Sequence, residues 1–370
     1  MEEQMKLKRE DTITSFQFIF LIIQAQVGVG ILSMPFNIYT AAGHDSWISV
    51  LIGGCVVQVL LILFWILMKR FPSMTLYEVL DSTTGIFIGG VIKGLYIIYF
   101  ILVGSNILSL FSEIINIWIL PLTPRWLLIV LMAGIGIYAV RGPVKFLARF
   151  YVFVSLLLIV FVLLVIYSFW EVDYLNIFPI GEKGIMPILK GTEKALFSMI
   201  GFEMYLIVAP YVNSSPIKKL KAASISNVVV TIFYSFLTLI CILFFGIKEF
   251  ILVPEPLLYM IKSFSFKILE RIDLLFLSVW IVSVATSYMA YLFAASRGLM
   301  SFSKKNKEHS PYVFYAAILS VLISLMPEGV YKVGQFSTFV TYLSYIFVLG
   351  LPVLLLLLSL LTHRKEKQQS

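Results

Sequence analysis

Two stretches place helix-weakening glycines, and one of them a carboxylate, inside long apolar runs. Gly28 and Gly30 lie in QVGVGILSMP, and Gly201 with Glu203 lies in IGFEMYLIVAP. Each glycine disfavours a helix by about 1 kcal/mol relative to alanine, and a carboxylate at membrane depth costs roughly 2.5–3.5 kcal/mol. Unwound backbone there leaves N–H and C=O groups that a ligand, water or protein must satisfy. The chemistry that these stretches suit is therefore binding, with N–H groups facing an anion such as a carboxylate.

The predicted ligand-binding set takes in both stretches. Its members are Gly28, Val29, Gly30, Ile31, Ser198, Gly201 and Glu203. Close packing of helices is the alternative for the two glycines of the first stretch. For Glu203 the alternative is a structural carboxylate that caps the broken helix or bonds to a neighbouring span, and we favour a role on a substrate, proton or water path.

A second candidate feature is a polar stripe in the third apolar run. Tyr99, Asn106 and Glu113 recur at intervals of seven residues, which is nearly two helical turns, so they share one face. We interpret this stripe as a polar path that faces the bundle. The alternative is that Glu113, near the outer end, extends into the headgroup region.

Hydroxyl groups form a third candidate feature, in the eighth apolar run. Ser283, Thr286 and Ser287 lie there beside alanines. Such faces usually pack helices through interhelical hydrogen bonds, but hydroxyls beside unwound backbone could also bind a cation or water.

Motifs for catalysis are lacking. The histidines His44, His309 and His363 all fall in loops or the tail, and the Gly-x-Ser-x-Gly, His-Glu-x-x-His and P-loop patterns do not occur. The prediction is a protein that is not an enzyme, with no catalytic residue, no metal centre and no cofactor. The net charge of +8 falls in short clusters between apolar runs, which indicates membrane topology rather than a nucleic-acid partner.

The elements that must position these residues are membrane helices. Hydrophobic residues make up 60% of the 370, and apolar runs of bilayer length recur throughout, so we predict an all-α, polytopic membrane protein with the bilayer as its surroundings. The ten predicted spans are roughly 15–40, 46–68, 88–119, 125–140, 148–169, 188–211, 223–246, 272–298, 311–326 and 333–361.

The distribution of lysine and arginine predicts the topology. Most of the 28 fall on one side if both termini, 1–13 and 363–370, are cytoplasmic. The two glycine-bearing spans, one and six, are five spans apart, so the second half enters the membrane inverted. We predict a single domain of two inverted repeats, about 15–169 and about 188–361, with helices 1 and 6 interrupted at a midplane site.

The chain resembles the spore germination permease family, a branch of the amino acid–polyamine–organocation superfamily. The resemblance covers nearly the whole chain, and single motifs are weak. The residues that carry it are Gly28, Gly30, Ile31, Leu32, Pro35, Pro72, Ser73, Leu76, Glu78, Gly85, Glu113, Pro121, Thr123, Pro124, Gly201, Glu203, Glu270, Arg271, Trp280, Leu343, Gly350 and Pro352.

The resemblance implies a ten-helix, LeuT-like inverted-repeat fold. It implies a germinant site, usually for an amino acid, between helices one, three, six, eight and ten. It also implies a germinant receptor A subunit and a lipoprotein C subunit as partners, in the inner spore membrane. One departure is that the fifth span has only Arg149, where some proton-coupled relatives in the superfamily carry a lysine.

Three functions follow as hypotheses. The first is a germinant receptor subunit that binds a small germinant, an amino acid, and triggers germination. The second is a secondary amino acid transporter coupled to protons or cations, which would use the same site. The third is a water or ion conduit or a structural scaffold, for which the Tyr99–Asn106–Glu113 stripe would serve as the path.

Overall fold

The chain folds into a helical bundle whose elements follow the predicted spans. The computed structural model describes residues 11–264, 271–303 and 308–366; Glu270 and parts of both predicted tails lie outside them. The helices are α1 Ser15–Gln26, α2 Met34–Ala42, α3 Ser46–Arg70, α4 Leu76–Thr84, α5 Ile86–Trp118, α6 Arg125–Val140, α7 Val144–Ser155, α8 Leu157–Ile166, α9 Ile185–Ser198, α10 Met204–Val208, α11 Pro216–Phe250, α12 Pro256–Ser263, α13 Ile272–Ser301, α14 Ser310–Ser324, α15 Gly329–Ser344 and α16 Leu351–Leu361.

Six helical stretches in the described chain are long and apolar enough to cross a membrane. They are Met34–Arg70, Ile86–Trp118, Val144–Trp170, Pro216–Gly246, Ile272–Ser301 and Gly329–Leu361. The shorter apolar helices α6 and α14 occupy the predicted fourth and ninth spans. The first and sixth spans are each divided in two. The prediction of an all-α, polytopic membrane protein is confirmed, and the division into two repeats stays a prediction.

Local sequence explains where key helices begin. Before α1, the Thr14 side chain accepts a hydrogen bond from Gln17 N (3.2 Å), and the Gln17 side chain accepts one from Thr14 N (3.0 Å). Thr75 and Glu78 form the same reciprocal arrangement before α4, the short helix that follows the second span. Such capping boxes satisfy two orphan N–H groups at a helix start.

The eighth span, α13, lies at the centre of the bundle. It is the most buried of the long spans and packs against α1 and α5, as well as α6 and α14. The seventh span, α11, packs against α1 and α3, and α9 packs against α2 and α3. The divided first and sixth spans are thereby held between longer, continuous helices.

The end of the bundle that carries the chain termini is closed. Ile13 pairs with the segment after α10: Ile13 N donates to Tyr211 O (2.9 Å), and Asn213 N donates to Ile13 O (2.9 Å). Beside this pairing, Arg297 of α13 lies 3.4 Å from the Asp11 carboxylate and stacks over the Tyr211 ring. The segment before α1 is thus fastened to both the sixth and the eighth spans.

His309, just before α14, packs against α13 at this closed end. Its Nε2 lies 2.8 Å from Ser296 Oγ, and its ring packs edge-on against Phe293. Burial, reinforced by the nearby Arg297 charge, lowers the pKa of His309 to about 3. The imidazole is therefore neutral at physiological pH, next to a guanidinium that would repel its protonated form.

We expect His309 to make the fold acid-sensitive. The unfolded chain binds a proton at this residue below its ordinary pKa of about 6.5, whereas the folded chain does so only near pH 3, so stability falls as pH drops through that window. Between pH 7 and pH 5 the loss is about 2 kcal/mol. His309→Asn should lose that much less than the wild type in unfolding measurements in detergent. Equal losses in both would contradict the prediction, and His363→Asn, in the exposed tail, is the control.

Candidate functional site

The first span breaks at the predicted glycines. Helix α1 ends at Gln26, Val27 is extended (φ −81°, ψ 95°), and Gly28 (φ −140°, ψ −144°) begins a single 3-10 turn. The bond of that turn runs from Ile31 N to Gly28 O, so the Val29 and Gly30 amides precede it and have no partner inside the turn. These two N–H groups are available at the break.

The sixth span breaks between α9 and α10, at Gly201. Its φ of +128° favours glycine, and a Cβ at this position would lie 2.5 Å from the carbonyl of Ala25 in α1. The two interrupted helices therefore touch through a contact that no side chain would permit. This agrees with the predicted interruption of helices 1 and 6.

Glu203 caps the N–H of Gly201 inside the second break, and its side chain makes no capping bond to the first turn of α10. One carboxylate oxygen accepts from Gly201 N (2.7 Å), and the other accepts from the Tyr291 hydroxyl of α13 (2.8 Å). The residue is 3% exposed, so both bonds are shielded from solvent. This geometry is that of the structural alternative considered for Glu203.

Side chains join the two breaks to each other and to their neighbours. Gln26 Nε2 donates to Met199 O (2.8 Å), the backbone carbonyl that ends α9. The Tyr234 hydroxyl of α11 donates to Gln26 O (2.8 Å), and Ser287 Oγ of α13 donates to Ala25 O (3.2 Å). Two of the carbonyl groups that the unwinding of helix 1 releases, Ala25 O and Gln26 O, are thus satisfied by the protein.

A cavity of about 610 Å³ lies against both breaks. It runs from Gln26 and Ser344 to Glu255 and Val330, on the face opposite the chain termini. Its volume lies within the range of small-molecule sites. The charged side chains in its wall are Glu113, Glu193, Glu255 and Lys194.

The predicted site residues divide between the cavity wall and the packing behind it. Those that line the cavity are Gly28, Val29, Gly30, Asn106, Glu113, Ser198 and Ser287. Those outside the lining are Ile31, Tyr99, Gly201, Glu203, Ser283 and Thr286. A role in ligand binding stays a prediction for every one of them.

The polar stripe of the third span is likewise divided. Glu113 lies 3.6 Å from Arg125 in an ion pair, and Asn106 donates to Ser337 Oγ (3.4 Å). Tyr99 is fully buried and donates to Ser344 Oγ (3.1 Å), below the cavity. A path through all three stays a prediction.

The hydroxyl groups of the eighth span make hydrogen bonds within the protein. Thr286 Oγ1 donates to Gln24 Oε1 (2.7 Å), and Gln24 Nε2 donates to Ser155 Oγ of α7 (3.0 Å). This uncharged network connects the first, fifth and eighth spans through α1, α7 and α13, as expected for the packing alternative. Cation or water binding at Ser283, Thr286 and Ser287 stays a prediction; within the described residues no three His, Cys, Asp or Glu side chains cluster.

The predicted site leaves out several polar groups that lie in the cavity wall, some of them on a hydroxyl-rich face of the tenth span that the sequence favours for helix packing. Tyr345 donates to Glu193 Oε1 (2.6 Å) across the gap between the tenth and sixth spans, at the start of a π-helical turn, Tyr345–Gly350. Gln26, Tyr291 and Ser337 also line the cavity. Gln26 had a signal, since it is a polar residue in an apolar run two positions before Gly28.

Comparison with known proteins identifies the family. A family profile described as spore germination protein matches residues 12–333. The chain belongs to the spore germination protein family. Two relatives are spore germination protein GerQB of Bacillus cereus (27% identity, covering 94% of this chain and 96% of the relative) and YndE of Bacillus subtilis (27%, covering 96% and 98%). Spore germination protein B2 of Bacillus subtilis is 24% identical, covering 95% of this chain and 96% of the relative.

The fold of this family member matches that of a solved transporter. A sialic acid symporter, described as Na⁺-coupled and captured substrate-bound and outward-open, aligns with a TM-score of 0.65 and 16% identity, covering 93% of this chain and 80% of the symporter. At that identity the likeness concerns the fold alone. It confirms the predicted transporter-like architecture.

Glu203 provides a test of the cap. Glu203→Ala leaves Gly201 N–H and the Tyr291 hydroxyl unsatisfied, and we expect a loss of about 2–5 kcal/mol in unfolding free energy. Glu203→Gln keeps an acceptor for Gly201 and a partner for Tyr291, so its loss should stay below about 1.5 kcal/mol. Thermal unfolding in detergent measures both, with Glu182→Ala in an exposed loop as the control. Equal damage from the two Glu203 variants would show that the carboxylate charge, rather than the cap, matters.

Proposed function

We propose that the chain is the membrane subunit of a spore germinant receptor, and that it binds a small germinant, an amino acid, in the cavity to trigger germination. The observation that carries this proposal is the cavity itself, which lies against the break in the first span. Family membership supports the link to germination, and the transporter-like fold supports a central small-molecule site.

The chemistry of the cavity suits a zwitterion. The Val29 and Gly30 amides, which have no backbone partner among the described residues, can donate to a carboxylate, as unwound backbone does at anion sites. Glu193 and Glu255 line the same cavity and supply negative charge that favours an ammonium group. An amino acid carries both groups at a short, fixed separation.

The proposal extends to partners and place. A receptor A subunit and a lipoprotein C subunit would associate with this chain in the inner spore membrane, with both termini in the cytoplasm. The support is the family and the distribution of lysine and arginine.

A substitution at Gly30 tests the ligand site without disturbing the fold. A Cβ there meets nothing within 4 Å, and Gly30 lines the cavity, so Gly30→Leu should fill the space a ligand needs. We expect stabilisation of the purified wild type by at least one amino acid, and a loss of affinity of about tenfold or more in the variant. Spores that carry Gly30→Leu should lose their germinant response at normal membrane levels of the protein.

Gly134→Leu is the matched control. Gly134 is exposed on α6, also with open space around its Cβ, and it lies away from the cavity. Its substitution should leave binding unchanged. A wild type that binds no amino acid, sugar or nucleoside, with spores indifferent to Gly30→Leu, would refute the proposal.

Transport is the second candidate, because the cavity against the two helix breaks would serve a coupled transporter as well as a sensor. Uptake of radiolabelled amino acid into proteoliposomes under a proton or sodium gradient separates the two functions. Accumulation against a gradient would indicate a coupled transporter. Saturable binding without uptake would indicate a sensor, and water or ion passage without a ligand would indicate a conduit.

A further inference from the structure

Gln26 is the residue at which the cavity and both helix breaks meet. It is the last residue of α1, is 3% exposed and lines the cavity. Its Nε2 donates to Met199 O at 2.8 Å. Because a carbonyl oxygen can only accept, the NH₂ group must face Met199, which fixes the orientation of the amide.

The other end of this amide has no partner. Among the residues that the structure describes, none donates to Gln26 Oε1. A buried acceptor without a donor carries a penalty of about 1–3 kcal/mol, which a bound group with a hydrogen to donate would remove. Gln26 lines the cavity, but its Oε1 has almost no exposed surface, so a ligand in the cavity supplies that hydrogen once the side-chain amide shifts toward the cavity.

A second acceptor lies in the same cavity wall. Asn106 directs its Nδ2 to Ser337 Oγ, and its Oδ1 has no partner among the described residues. The charged side chains that line the cavity are three glutamates and one lysine, namely Glu113, Glu193, Glu255 and Lys194, with Glu255 at the end away from Gln26. Unpaired carbonyl oxygens in a cavity with this excess of carboxylates suit a cationic donor, above all a primary ammonium group.

We propose that Gln26 Oε1 binds the ammonium group of the ligand, with Asn106 as a second acceptor, and that Gln26 links ligand binding to the sixth span through its bond to Met199. This inference rests on the proposed function. It makes Gln26 a specificity-determining residue: the cavity takes small molecules with a primary amine and rejects the same molecules without one.

The backbone of Gln26 explains why binding at its side chain would be felt elsewhere. The backbone carbonyl oxygen of Gln26 accepts from the Tyr234 hydroxyl at 2.8 Å. Its backbone nitrogen lies 2.6 Å from the position that a Cβ on Gly201 would occupy. A displacement of Gln26 on ligand binding would therefore reach the sixth span at two residues. It would reach Met199 through the side-chain hydrogen bond and Gly201 through the backbone contact. The seventh span is coupled through Tyr234.

The test measures amine preference. The probes are the proteinogenic amino acids with a primary amine, each paired with the carboxylic acid that lacks only that amine, such as L-alanine with propionate. For a pair that the wild type distinguishes, Gln26→Met should weaken binding of the amine about 10- to 100-fold while leaving its weakly bound partner nearly unchanged. The preference ratio, unlike affinity alone, is insensitive to a general loss of structure.

Gln24→Met is the matched control. Gln24 lies one half-turn earlier on α1, is fully buried, and has both amide atoms bonded inside the protein. Its substitution should lower stability and leave the preference ratio as it is. Asn106→Leu, which keeps the Gln26–Met199 bond, should lower the ratio in the same direction as Gln26→Met, and it decides the matter if Gln26→Met does not fold.

The outcomes separate this inference from the function on which it rests. If amino acids bind and neither Gln26→Met nor Asn106→Leu changes the preference for the amine, the inference is wrong and the proposed function stands. If no amino acid binds the wild type, both are wrong. A collapse of the ratio in Gln26→Met but not in Gln24→Met supports the inference.

Discussion

The need to satisfy backbone polar groups at membrane depth governs this structure. An unbroken helix meets that need by itself, whereas each interruption releases N–H and C=O groups that lipid cannot bind. Here the breaks in the first and sixth spans lie against each other, and side chains supply most of the missing partners. Met199 O is bonded by Gln26, Ala25 O by Ser287, and Gly201 N–H by Glu203.

Some of the polar groups at the two breaks have hydrogen-bond partners in the protein and others do not, and the groups without partners define the site. The Ala25, Gln26 and Met199 carbonyls have donors from the protein, while the Val29 and Gly30 amides precede the first bond of their turn, and Gln26 Oε1 has no donor among the described residues. The unpaired groups belong to residues that line the cavity, and the paired ones hold the helices in register. The same breaks thus give a rigid junction on one side and binding capacity on the other.

The bundle is open at one end and closed at the other. The cavity reaches the face opposite the termini, whereas the Ile13 pairing, the Asp11–Arg297 ion pair and the neutral His309 close the other end. Each such contact contributes on the order of 1 kcal/mol. A ligand that favours one arrangement of the breaks by a few kcal/mol could therefore shift the closed end, whether the result is a signal or a passage.

The sequence alone determined the membrane class, the number and order of the spans, and the position of both breaks. Apolar runs of bilayer length form helices, and the glycines at 28, 30 and 201 mark the two breaks, whereas Gly53 and Gly104 lie in unbroken helices. It did not determine which polar groups meet. For Glu203 a role on a substrate, proton or water path stays a prediction, and the sequence did not reveal its bonds to Gly201 and Tyr291, because these partners surround it only after α10 and α13 have packed. Gln26 was passed over, because an amide has no distinctive chemistry until its neighbours fix which end is paired. Tertiary structure decided that, since hydrogen-bond partners of a buried side chain come from helices distant in the sequence.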